Sequence, residues 1–220
     1  MPSRLESGQS IVFIGDSITD CERRVSSNSA LGNGYVRIFS DMLLTREPEK
    51  AIRIVNKGID SNTIGHLLSR WQDDVVEQHP DHLFILIGIN DATRFLDRSS
   101  SLHCAPSAFR ATYQQLIDET RSRLPECRIT LMQPFFISPG DNIVGSYRAK
   151  LIATLADYID TTDALAREFG LSLVPLQQTF QALLCYKNSD FYSEDKIHPT
   201  LTGHHAIAEA VYRSLHLKDA

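Results

Sequence analysis

IVFIGDSITD, residues 11–20, runs an unbroken apolar stretch into Gly15 and then into Asp16, Ser17 and Thr19. Apolar residues that follow one another without alternation suit a strand covered on both faces, as in a parallel sheet between two layers of helices. The same pattern recurs in IRIVN (52–56), LFILIG (83–88), ITLMQ (129–133) and LSLV (171–174). Residues 34–44, 63–78, 106–124, 145–170 and 200–216 instead carry apolar side chains at three- and four-residue intervals, which predicts helices. Ser61-Asn62-Thr63 before the second helix, Pro106 opening the third and Gly170 closing the fourth mark their ends. The order is βαβα, and the expectation is an α/β fold: a three-layer α/β/α sandwich on a five-stranded parallel sheet, one domain over 1–220. Segments 21–33 and 92–104 read as loops.

Bulk properties narrow the function. The 220 residues carry a net charge of −5 without a basic cluster, so nucleic acid is a poor partner. The longest strongly apolar run, LFILIGI at 83–89, is too short to span a bilayer. Cys21, Cys104, Cys127 and Cys185 are far apart and form no CxxC pair, which suits reduced thiols better than a disulfide framework or zinc site. The polar opening MPSRLESGQS lacks the regions of a signal peptide, and the expected location is cytoplasmic; a leader removed beforehand is the alternative.

Ligands of such sheets bind outside the carboxyl ends of the strands, so those ends come first. The first ends in Gly15-Asp16-Ser17, the second in Asn56-Lys57-Gly58, the third in Gly88-Ile89-Asn90-Asp91. Near the C-terminus DKIHP sets Asp195 three residues before His198. Alone, Ser17 fits a helix cap, an anion cradle or a nucleophile; Gly58 fits a turn, and Asn90-Asp91 a cap pair. Together they fit acyl transfer. A serine hydroxyl needs a neighbouring base, which His198 supplies near neutral pH. Asp195 would hold the imidazole in one tautomer, and Pro199 restricts the histidine backbone. The Ser17 N–H, the Gly58 N–H and the Asn90 side-chain amide are the candidate donors to an oxyanion.

The blocks GDSITD, NKGIDSNT, IGIND and DKIHP, in this order, resemble the signature blocks of the SGNH hydrolases, the GDSL esterase/lipase family. The resemblance spans nearly the whole chain, with GDSI where the family name has GDSL. It implies a flavodoxin-like fold and a catalytic set of Ser17, Asp195 and His198, with Ser17, Gly58 and Asn90 as the oxyanion hole. GDSITDCER, LGNGYV, the RWQDDV after NKGIDSNT, and ILIGINDATR are further similar to the acetyl-xylan-esterase-like branch. That similarity implies short acyl esters as substrates, with acetylated carbohydrates foremost, and a lysophospholipase or thioesterase of the same family as the alternative.

No cofactor or metal is expected, since His66, His79, His82, His103, His204, His205 and His216 lack carboxylates or cysteines at ligand spacing. The expected partner is a small-molecule or oligosaccharide ester, with a homo-oligomeric state left open. Phe135 and Phe136, after the fourth strand, are candidates for walling an acyl pocket or for plain packing, and Arg94 for shaping the leaving-group side. Trp71 reads as a core or interface aromatic, with sugar stacking as the alternative. Cys21 would lie near the pocket if the turn after Ser17 is helical. Two other classes remain. A flavodoxin-like phosphate or nucleotide binder lacks the glycine-rich phosphate motifs here and leaves DKIHP unused. A non-catalytic sugar binder would not need the full set of blocks.

Overall fold

The computed structural model describes residues 5–25, 29–97, 104–139 and 143–215. Five parallel strands, β1 (Ser10–Gly15), β2 (Arg53–Gly58), β3 (His82–Leu86), β4 (Arg128–Met132) and β5 (Ser172–Val174), form one sheet in the order β2-β1-β3-β4-β5. The chain leaves β1 toward one edge and returns past it to β3. This reversal opens a crevice at the carboxyl ends of β1 and β3. Register brings Gly15 level with Gly58 on one side and Leu86 on the other, so the segments after these three strands meet at one edge.

Helices cover both faces. α1 (Ser17–Asp20) and α2 (Tyr35–Arg46) follow β1; α3 (Ile64–Ser69) and α4 (Trp71–Asp74) follow β2; α5 (Ile89–Leu96) and α6 (Pro106–Arg123) follow β3. α7 (Tyr147–Glu168) follows β4, and α8 (Leu176–Leu184) and α9 (Leu201–Ser214) complete the chain. α2 and α8 pack on α9 against one face, while α6 packs between α3 and α7 against the other. β1 and β3 are buried throughout, as their unbroken apolar runs require. Phe13 of β1 stacks on Phe84 of β3 at 4.9 Å and meets Tyr35 and Phe39 of α2 edge-on, joining the sheet to its helical layer.

Three segments differ from expectation. The periodicity over 63–78 predicts one helix, yet the chain forms α3, α4 and a 3-10 turn, Val76–Gln78. Arg70 leaves helical geometry between α3 and α4, at φ −122° and ψ 11°, and turns its guanidinium to backbone carbonyls at the sheet edge. Ile64, Leu67 and Trp71 are buried all the same, so the apolar spacing survives the break. The expected loop 92–104 begins as α5, in which Ile89 and Ala92 are buried three residues apart; residues 98–103, His103 among them, lie outside the described ones. α8 was not expected; Leu176 and Phe180, four residues apart, face inward from it. Trp71 is in the core, with its indole N–H donated to Thr120 Oγ1 at 3.2 Å. His216 also lies outside the described residues.

Candidate active site

α1 is one turn long and is capped by its neighbour, not by Ser17. Asp16 is the N-cap, its Oδ1 accepting from Ile18 N at 3.0 Å, which leaves Ser17 as the first helical residue. Asp16 O accepts from Thr19 N and Asp20 N, so the turn is closed while the Ser17 N–H has no partner among the described residues. The other Asp16 oxygen, Oδ2, is buried and has no partner among the described residues. Burial pushes this carboxyl up to about 7, against the opposing pull of the Ile18 N–H, and the nearby Asp91 adds to the rise.

The DKIHP segment forms a tight turn on the opposite side. Lys196 takes a left-handed φ of 76°, a Ser193–Pro199 bridge closes the base, and Ser193 Oγ donates to His198 O at 2.8 Å. Asp195 Oδ1 accepts from His198 N at 2.7 Å and Ile197 N at 2.9 Å, while Oδ2 stands 2.6 Å from His198 Nδ1. Burial raises the Asp195 pKa, but these donors outweigh it and hold the carboxyl below its ordinary range. His198 Nε2 lies 3.0 Å from Ser17 Oγ. Residues 181 positions apart in the chain are thereby joined in a line from hydroxyl to imidazole to carboxylate.

Asn90, on the first turn of α5, donates Nδ2 to Asn62 O at 3.0 Å, which lays its amide along the loop after β2. Asp91 beside it is fully buried and accepts from Ile64 N with both oxygens, so α5 also caps α3; burial pushes its carboxyl up to about 7. Gly58, a candidate oxyanion donor, closes β2. Its N–H is buried and donated to Asn56 Oδ1 at 2.8 Å. What the position needs is the missing side chain, since a Cβ there would stand 2.1 Å from Asp20 N. The loop's free donor is the N–H of Ser61, exposed at a left-handed φ of 61° and without a partner among the described residues. Its own carbonyl accepts from Arg94 Nη2 at 2.8 Å. The SNT stretch reads as helix-start chemistry in sequence, which hides the free N–H of its first residue.

A cavity of about 490 Å³ opens on Ser17 and His198 and is lined by Asp20, Cys21, Glu22, Arg24, Asp60 and His204, among others. Cys21, in left-handed conformation after α1, points its thiol at His204 Nε2, 3.5 Å away, and burial raises its pKa. His204 accepts from Tyr35 N through Nδ1, and burial brings its pKa down to about 4. Phe135 is not brought to this cavity: it is fully buried against Phe180, at 4.7 Å, because β4 ends in the core at that point. Phe136 lines a separate cavity beside α7 and α8. Arg94 is not among the residues lining the Ser17 cavity; its Nη2 donates to Ser61 O. Among the described residues no three His, Cys, Asp or Glu side chains are placed to hold a metal ion, and no helix is long and apolar enough to cross a membrane.

Residues 13–206 match the model of the GDSL-like Lipase/Acylhydrolase family. The chain belongs to this family. It is a carboxylic ester hydrolase of the acetylxylan-esterase-like branch. It is 35% identical over 218 residues to an acetylxylan esterase of Geobacillus stearothermophilus, covering 96% of each chain. The crystal structure of the acetylxylan esterase Axe2 from that organism superposes with a TM-score of 0.86 at 34% identity, over 99% of this chain and 98% of that one. LAE5, an alpha/beta hydrolase enzyme from the metagenome of Lake Arreo, gives 0.87 at 32% identity, over 96% and 97%. Axe2 has also been solved as catalytic mutants in which a serine, an aspartate and a histidine are each replaced by alanine.

Proposed function

We propose that the chain is a serine esterase that removes acetyl groups from carbohydrate hydroxyls, with Ser17 as nucleophile, His198 as base and Asp195 as its orienter. The observation that carries this reading is the line Ser17 Oγ, His198 Nε2, His198 Nδ1, Asp195 Oδ2, with its 3.0 and 2.6 Å contacts. In Axe2 the replaced aspartate and histidine stand three residues apart, as Asp195 and His198 do, which supports the same assignment here.

The chemistry follows from the contacts. With the Nδ1–H of His198 donated to the Asp195 carboxylate, Nε2 is free to take the Ser17 proton as Oγ attacks the acetyl carbon. The carbonyl oxygen becomes an oxyanion, for which the free N–H groups of Ser17 and Ser61 and the second amide proton of Asn90 are the donors; Gly58 is replaced by Ser61 in this role. Collapse returns the proton from Nε2 to the sugar oxygen and leaves acetyl-Ser17. Water then repeats the sequence, with His198 taking its proton and returning one to Ser17 as acetate departs.

Acetylated sugars are favoured by the 35% identity to an acetylxylan esterase. The four free thiols suit a cytoplasmic location. The test is a rate series from acetyl to decanoyl p-nitrophenyl esters beside acetylated xylo-oligosaccharides. Turnover that falls steeply beyond acetyl, includes the oligosaccharide acetates and vanishes in Ser17→Ala and His198→Ala is the expected result. A preference for long chains would move the reading to a lysophospholipase or thioesterase, and unchanged turnover in either variant would end it.

A further inference from the structure

We propose that Arg70, the residue at which the expected long helix breaks, is a positioning residue for the esterase reaction: its guanidinium fixes the loop bearing the Ser61 N–H against the strand that delivers Ser17. The proposal rests on the esterase reading above. Arg70 is nearly buried, its side chain 14% exposed, and it spends its donors on four groups. Nη2 donates to Gly15 O, the last carbonyl of β1, at 3.1 Å; Nη1 donates to Lys57 O near the end of β2 at 2.8 Å. Nε donates to Asn62 Oδ1 at 2.9 Å, and Asp74 Oδ2 receives Nη1 while its Oδ1 receives Lys57 Nζ.

Three of these ties converge on the chemistry. Gly15 lies two residues before Ser17, and its carbonyl also accepts from Ile59 N, so β1 and the post-β2 loop share an acceptor. Asn62 is held through its side chain by Arg70 and through its carbonyl by Asn90. Ser61 is therefore bracketed, with Arg94 on its carbonyl and the Arg70–Asn62–Asn90 chain on its neighbour. A left-handed φ is uphill for a serine and persists only where the surroundings impose it. These contacts impose it. The planar fork, with five donors, can reach two strand carbonyls and a side-chain amide together; an ammonium offers three donors from one point and cannot.

The experiment compares Arg70→Lys, Arg70→Ala and Asn62→Ala with the parent, all shown folded by circular dichroism and titrated for active Ser17 by an acyl burst. Activity of the parent on p-nitrophenyl acetate, and its loss in Ser17→Ala, tests the esterase reading separately. Displacement of the donors by about 1 Å predicts a kcat lower by about 10²-fold per active site in Arg70→Lys and Arg70→Ala, with KM little changed. Affinity for an alkylboronic acid, whose tetrahedral adduct on Ser17 places an oxygen at the oxyanion position, should fall in parallel. Added guanidinium should restore part of the rate to Arg70→Ala but not to the parent. Asn62→Ala, which leaves the strand ties intact, should lose less, and keeps the proposal testable if Arg70→Ala does not fold. Parental kcat in Arg70→Lys or Arg70→Ala, a loss explained by fewer active sites, or a fall in kcat with unchanged boronate affinity would each overturn it.

Discussion

Gly58→Ala separates two roles for one glycine. Alanine keeps the backbone N–H, so a position needed only for donation would tolerate it. The added Cβ, however, would stand 2.1 Å from Asp20 N, 2.5 Å from Thr19 C and 2.7 Å from Asp20 Cα, where ordinary contact begins at 3.4 Å. All three atoms are backbone, so no side-chain rotation relieves the clash, and α1 must retreat by about 1 Å or more. Because α1 starts at Ser17, the retreat is transmitted to the 3.0 Å contact between Ser17 Oγ and His198 Nε2. A misplacement of that size costs roughly 10²-fold in rate. Overpacking of this kind destabilises by about 1–3 kcal/mol, which in a chain of this length lowers the melting temperature by about 2–12 °C. Ser61→Gly is the companion variant. It keeps the N–H and relieves the left-handed φ, worth roughly 1–2 kcal/mol, while adding backbone freedom that costs about 0.5–1 kcal/mol; kcat and melting temperature should stay near the parent's. Initial rates on p-nitrophenyl acetate and circular-dichroism melts measure both. Parental kcat and melting temperature in Gly58→Ala would refute the close-approach reasoning.

Asp195→Asn should leave the turn folded, because an amide oxygen can still accept from His198 N and Ile197 N, yet place an N–H against His198 Nδ1. The ring is then driven to the tautomer with its proton on Nε2, and kcat should fall by about 10⁴-fold; steady-state rates showing less than a tenfold loss would contradict the role given to Oδ2. Asp91→Asn tests a pH-dependent cost. Burial raises the Asp91 carboxyl to about 7 in the folded chain, from about 3.9 unfolded, so the folded chain holds a proton that the unfolded one releases between those values. The Asp91 contribution is fully favourable below pH 4 and is lost as pH rises toward 7. His82 and His204, both lowered to about 4, act in the opposite sense and lose stability as pH falls from 6.5. Subtracting parent from variant cancels them. Melts from pH 4 to 8 should therefore show Asp91→Asn gaining on the parent as pH rises and levelling off above 7; a difference that does not change with pH would rule this out.

The sequence alone carries the sheet, because a strand buried on both faces must be apolar at every position, and that pattern survives in β1 and β3 regardless of context. It also carries the polar endings at Ser17, Asn90 and DKIHP, since small and titratable residues next to buried strands stand out from the apolar background. It does not carry the break at Arg70. Local periodicity there is helical, and only carbonyls from two other strands, brought within reach of one guanidinium, make leaving the helix favourable. The same limit applies to the third donor proposed for the oxyanion. Gly58 and Ser61 both sit in the post-β2 segment, and which N–H is free depends on Asn56 Oδ1 capturing one and on Arg94 and Asn90 holding the other open. Phe135 lies just beyond a strand end in sequence, yet Phe180 on α8 draws it into the core. Burial patterns are properties of a segment and can be read along the chain; the commitment of a particular donor is a property of its neighbours in space, and only the tertiary structure supplies them.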